Sequence, residues 1–158
     1  MVATKESTAT VFNLRTPYLE QGRTTDLRAR TDLLTVTAKV YAEGGENAMH
    51  CHPYEDHSFI VLEGEATFHL GSDDNAQVVK PYEGVMLPRG AFYWFESSGD
   101  RNLVMLRCGA SMGMPPRDQC DGTEPVARMR PDGKPIPGDS PENKTVERIE
   151  APGPGFGG

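Results

Sequence analysis

Through the middle of the chain, apolar residues recur in short runs, often at every second position, and Gly, Pro, Asn or Asp close most runs. Leu33-Leu34-Thr35-Val36-Thr37-Ala38-Lys39-Val40-Tyr41 is rich in β-branched residues and alternates late in the run, until Gly44-Gly45 breaks it. Met49-His50-Cys51-His52 is a short extended piece halted by Pro53. Pro53-Tyr54-Glu55-Asp56 reads as a tight turn, and His57 to Leu62 as the next strand. Glu63-Gly64 turns the chain, and Glu65 to Leu70 returns with Ala66, Phe68 and Leu70 on one face. Gly71 to Asn75 is a turn cluster; Ala76–Lys80, Val85–Leu87, Ala91–Glu96 and Asn102–Cys108 follow as further strands. This spacing predicts an all-β protein, an antiparallel sandwich or barrel.

The flanks differ. Residues 1–32 are polar and read as an irregular lead-in, with one apolar patch at Val11-Phe12-Asn13-Leu14. Residues 111–158 show no period of 2 or 3.6, and 17 of these 48 residues are Gly or Pro. They read as an extended, mostly strandless arm wrapped on the barrel or on a partner subunit. The expected organisation is therefore a lead-in (1–32), a barrel (33–110) and an arm (111–158). Open sheet edges and a long arm suggest a homodimer.

Composition narrows the function. The formal net charge is −7, from 16 basic and 23 acidic residues, which argues against a nucleic-acid backbone or an anionic membrane as partner. No apolar run is long enough to span a bilayer, and no signal-peptide core follows Met1-Val2-Ala3-Thr4-Lys5. A cytoplasmic protein is the expectation. Cys51, Cys108 and Cys120 are odd in number and scattered, unlike a disulfide framework.

Histidine is the informative residue, because three of only four fall at 50, 52 and 57. Two positions apart in a strand, His50 and His52 point to one face. If the chain reverses at Pro53–Asp56, His57 opens the neighbouring strand and can face both. Three neutral imidazoles would hold a divalent metal, Fe²⁺ by preference or Ni²⁺, Zn²⁺ or Mn²⁺, with positions left for water or substrate. Glu55 and Asp56 are rival oxygen donors in the same turn. Alternation sends Cys51 to the other face, toward core, and makes His69 an exposed strand residue opposite Phe68 and Leu70.

Gly44-x5-His50-x-His52-x4-His57-x6-Gly64 resembles the first motif of the cupin superfamily, Gly-x5-His-x-His-x(3,4)-Glu-x6-Gly, with His57 at the Glu position. Pro88-Arg89-Gly90-Ala91-Phe92-Tyr93-Trp94-Phe95-Glu96-Ser97 is similar to the second motif, Gly-x5-Pro-x-Gly-x2-His-x3-Asn. There Tyr93 replaces the His, Ser97 replaces the Asn, and Gly84 stands four residues before Pro88 rather than six. The resemblance covers 33–110 and implies a small single-domain cupin, a jelly-roll or double-stranded β-helix barrel. It implies a metal shell of His50, His52, His57 and Tyr93, with Tyr93 either a phenolate ligand or a general acid/base.

Inward alternation then places Phe59, Val61 and Phe95 along the substrate pocket, near Val85, Met86 or Leu87, with Phe92 and Trp94 facing out. Arg107 is the candidate for holding a substrate carboxylate; Arg89 lies in a turn and is expected in solvent. Met112 and Met114 would stand near the mouth. Three neutral imidazoles leave a metal's charge uncompensated and so favour a small anionic organic substrate. The expected activity is dioxygenase-like oxidation. A lyase or isomerase using Tyr93 is the alternative, and a non-catalytic small-molecule or metal-binding cupin the third reading.

Overall fold

The structure is a computed structural model and describes residues 8–42, 48–111, 128–136 and 147–158. Gly44, Met112, Met114 and Cys120 lie outside the described residues.

Among the described residues every regular element is a strand: β1 (Leu19–Gln21), β2 (Asp26–Arg30), β3 (Leu34–Tyr41), β4 (Glu55–Glu63), β5 (Ala66–Leu70), β6 (Ala76–Val79), β7 (Gly84–Leu87), β8 (Tyr93–Ser97), β9 (Leu103–Ser111) and β10 (Ile149–Glu150). All strand pairs are antiparallel. Five strands form one sheet in the order β2-β3-β9-β4-β7, three form a second in the order β6-β5-β8, and β1 pairs with β10. This is the double-sheet cupin barrel. No helix of the described residues is long and apolar enough to cross a membrane.

The two main sheets bury their facing sides against each other. Phe59 and Val61 of β4, Ala66 and Phe68 of β5, Tyr93 and Phe95 of β8, and Leu103 and Met105 of β9 form the core with Tyr41, Val79 and Leu87. Gly64, at φ +78°, makes the turn from β4 to β5. A side chain there would also strike the backbone of Asn102 and Leu103, so glycine is required on both counts.

The lead-in is not irregular throughout. It supplies β1 and the edge strand β2, whose Asp-Leu-Arg-Ala-Arg sequence carries little apolar signal because its outer positions face water. Arm and lead-in together cover the outside of the five-stranded sheet. Leu19, Val40, Ala42 and Val104 form a second small core there, with Tyr18, Leu62 and Phe156 packed against it. Thr16 exchanges backbone hydrogen bonds with Phe156, and Asn102 holds Leu19 from both its backbone groups.

Candidate metal centre

Strand β4 begins at Glu55, two residues earlier than the sequence pattern suggests. The turn is confined to Pro53 and Tyr54. Glu55, His57, Phe59 and Val61 therefore share one face, the barrel interior. The odd positions read polar, polar, apolar, apolar, so one strand carries both a site and a core wall.

His50 and His52 arrive from the segment before β4. His50 exchanges backbone hydrogen bonds with Tyr93 (3.0 and 2.9 Å), and His52 accepts one from Gly90 N (3.0 Å). Cys51 faces the opposite way, is buried, and pairs with Met129 of the arm through both backbone groups. This alternation brings three imidazoles together, with ring centroids 5.1 Å apart for His50 and His52 and 4.2 Å for His52 and His57.

The compact donor group is His52, Glu55 and His57, with one ligand atom from each lying within 4.8 Å of the others. Glu55 Oε2 is 2.9 Å from His57 Nε2 and 4.0 Å from His52 Nδ1. Two ligands about 2.1 Å from one metal are about 3 Å apart at right angles and about 4 Å apart when opposed. These donors thus have a separation that one divalent ion can span. His50 stands beside this group, not in it. Its Nδ1 donates to Ala48 O (2.8 Å), which leaves the lone pair on Nε2. Asp56, the other carboxylate considered, points outward and takes Arg89 in an exposed ion pair (3.2 Å), with Arg89 in solvent as expected.

The protonation states fit a metal. Burial lowers the His50 pKa to about 4 and holds His52 and His57 below the usual imidazole value, so all three rings are neutral. Burial alone would raise Glu55, but the hydrogen bond with His57 and the Arg107 charge outweigh it, and the carboxylate stays ionised. Two neutral imidazoles and one carboxylate are a donor set for Fe²⁺ and its neighbours among divalent metals.

Tyr93 is buried between His50 (centroids 4.7 Å) and His57, its Oη 3.4 Å from His57 Nδ1. Burial pushes its pKa well above that of a free phenol, which favours the neutral O–H in the metal-free protein. Arg107 does not hang open for a substrate. Its guanidinium donates to Glu55 Oε1 (3.0 Å) and contacts His57 Nε2. Gly109, paired with His57 in the register of β4 and β9, makes this possible. A methyl group at Gly109 would collide with Glu55 Oε1.

Phe59, Val61 and Phe95 point inward as expected, but they are closed core below the donors and not an open pocket wall. The Phe59 and Phe95 rings pack at a tilt on each other and on Phe68, with Phe59–Phe95 centroids at 5.6 Å and Phe68–Phe95 at 5.0 Å. Val85 and Leu87 join this core, and Met86 faces solvent. His69 is not simply exposed. It lies flat on Trp94 (3.9 Å, 3°), whose indole N–H donates to Asp73.

Two charged neighbours escaped the sequence reading. Lys39 Nζ lies over the Tyr41 and Phe59 rings (5.4 and 5.8 Å), inside the barrel. Arg128 of the arm sits close enough to depress His50 and His52 electrostatically. For Lys39 the signal was available, since it shares the period-2 face of Tyr41. For Arg128 there was none, because the arm's docking is non-local.

The cupin domain family matches residues 39–107. No curated protein matches the chain. Among solved structures, the chain is similar to an uncharacterized conserved protein with a double-stranded β-helix domain from Klebsiella pneumoniae subsp. pneumoniae. That likeness has a TM-score of 0.58 and 19% identity, over 73% of this chain and 95% of that one. It is also similar to the cupin domain of Cnp3 from Schizosaccharomyces pombe (TM-score 0.54, 16% identity, 60% of this chain and 68% of that one). KdgF from Halomonas sp. is a third (TM-score 0.52, 16% identity, 58% and 82%). At these identities the likeness is one of fold.

Proposed function

We propose that this chain, which belongs to the cupin family, is a metal-dependent oxidoreductase of the dioxygenase kind, acting on a small anionic organic molecule. The observation that carries the reading is the donor group of His52, Glu55 and His57, two neutral imidazoles and one carboxylate at the top of a closed apolar core. Fe²⁺ is the preferred ion for such a set when coordination positions stay open, and Ni²⁺, Zn²⁺ and Mn²⁺ accept the same donors. When bound, the metal supplies Lewis acidity and a redox centre.

The chain's own residues supply the rest. Three cations act on this interior, Arg107 on Glu55, Lys39 over the Phe59 ring and Arg128 on His50 and His52, and they would attract an anionic substrate. The aromatic floor of Phe59, Phe68 and Phe95 closes the site to water from below. His50 stands beside the donor group with Nε2 unprotonated, open as a further ligand or as an acceptor for substrate.

A second reading, a lyase or isomerase, draws on Tyr93. A neutral phenol 3.4 Å from His57 can give a proton to a developing anion beside it. Metal analysis of protein purified without chelator, followed by oxygen-electrode assays on Fe²⁺-loaded protein against a panel of small carboxylates, separates the readings. Stoichiometric metal with carboxylate-dependent oxygen uptake is the outcome expected. Metal without oxygen uptake, but with turnover abolished in Tyr93→Phe, would replace the dioxygenase with the lyase or isomerase. Metal with no turnover would leave a binding protein.

A further inference from the structure

Arg107 occupies a telling place. One guanidinium nitrogen, Nη2, serves Glu55 Oε1 at 3.0 Å and contacts His57 Nε2. On its other oxygen the same carboxylate lies 2.9 Å from that same His57 nitrogen. Two of the three residues that would hold a metal are thus already gathered around one positive centre, and that centre belongs to the protein.

The local chemistry is over-subscribed. His57 Nε2 can either donate its proton to Glu55 or accept one from Arg107, not both. A divalent ion in that place would take lone pairs from both residues and remove the conflict. Arg107 also starts from a favourable position. It pairs with Phe59 across β4 and β9, two residues below Gly109, and its side chain runs up the barrel wall to the donors. Gly109 leaves the space in which the Glu55 carboxylate meets it.

We infer that Arg107 is an internal cation that competes with the metal: its guanidinium holds Glu55 and His57 in the metal-free protein and must leave them for a metal to enter. This rests on the metal-dependent reading above. The arrangement preorganises the donors and keeps a partly buried carboxylate compensated, at the expense of affinity for the incoming ion. It also makes Arg107 a positioning residue in the metal-free state, and the displaced guanidinium remains tethered close to the metal.

The test is Co²⁺ affinity, measured by calorimetry and by the cobalt visible spectrum, for full-length wild type, Arg107→Gln and Arg107→Lys. The expected result is Co²⁺ binding about tenfold tighter or more in Arg107→Gln, with Arg107→Lys nearer to Gln than to wild type, because an ammonium keeps the charge but, on a side chain one atom shorter than Nη2 needs, loses the contacts with Glu55 and His57. Equal or weaker binding in a folded Arg107→Gln overturns the inference. So does tighter binding in Gln with Lys equal to wild type, since charge at a distance would then suffice. If Gln does not fold, Lys decides alone, with at least threefold tighter binding required. Absence of Co²⁺ binding in all three folded proteins would overturn the metal reading itself, and with it this inference.

Discussion

The barrel interior has two halves built on the same strands, and they obey different rules. On β4, Phe59 and Val61 sit in the lower half and Glu55 and His57 in the upper, all on one face. On β9, Met105 lies below and Arg107 and Gly109 above. On β8, Phe95 lies below and Tyr93 above. The lower half is stabilised by area and close packing, in which any residue of similar shape would serve. The upper half depends on reciprocal partners: Glu55 with Arg107, His57 with Glu55, His50 with Ala48, Tyr93 with His57. Removing one partner there leaves another buried polar group stranded. The floor therefore fixes the fold, and the upper half spends part of that stability on chemistry.

Substitutions in the two halves should separate stability from metal binding. The largest effect is expected from Phe68→Ala, which empties the middle of the aromatic floor. It should cost about 3–5 kcal/mol in denaturant unfolding, while Co²⁺ affinity of the molecules that stay folded changes little. A cost under about 1 kcal/mol would contradict the packing argument.

Acid attacks the upper half next. The folded chain keeps His50, His52 and His57 neutral, while the unfolded chain protonates its histidines below about 6.5. The unfolded state then binds more protons, so metal-free stability is fully present above about 6.5 and falls as the pH is lowered toward 4. His50 alone accounts for a loss on the order of 3 kcal/mol over that window. Urea midpoints of metal-free protein at several pH values measure this, and His50→Gln should flatten the profile.

Gly109→Ala sharpens the comparison, since it leaves the floor alone. Its methyl group meets the side-chain ends of Glu55 and Thr35, and moving Glu55 strands Arg107 and His57, so stability should fall by about 1–3 kcal/mol. Glu55 must turn away, and Co²⁺ affinity should drop at least about tenfold. Unchanged affinity would show that Glu55 is not a ligand. Tyr93→Phe is expected to do least to either quantity, with metal affinity within about threefold of wild type, since a neutral phenol is not a ligand.

Much of the lower half was legible in the sequence. The alternation of Ala66, Phe68 and Leu70, the glycine turn at 64 and the cluster at 71–75 all report local geometry. The upper half was legible only in part. The spacing of His50, His52 and His57 anticipated three imidazoles that the fold brings together, but reading 53–56 as one turn detached Glu55 from the strand that it opens. A proline and an aspartate three positions apart, Pro53 and Asp56, outweighed the period-2 relation between Glu55 and His57. What the flanks do was not legible, because the pairings of β1 with β10, Thr16 with Phe156 and Cys51 with Met129 join segments far apart in the chain. They carry no periodic signature in either partner.

The central claim is that His52, Glu55 and His57 hold one divalent metal. Anaerobic equilibrium dialysis of Fe²⁺ against full-length wild type, Glu55→Ala and His57→Ala, with folding checked by circular dichroism, tests it most directly. The account predicts one Fe²⁺ per wild-type chain and a loss of most bound metal in each variant. Full occupancy in a folded Glu55→Ala or His57→Ala would contradict it.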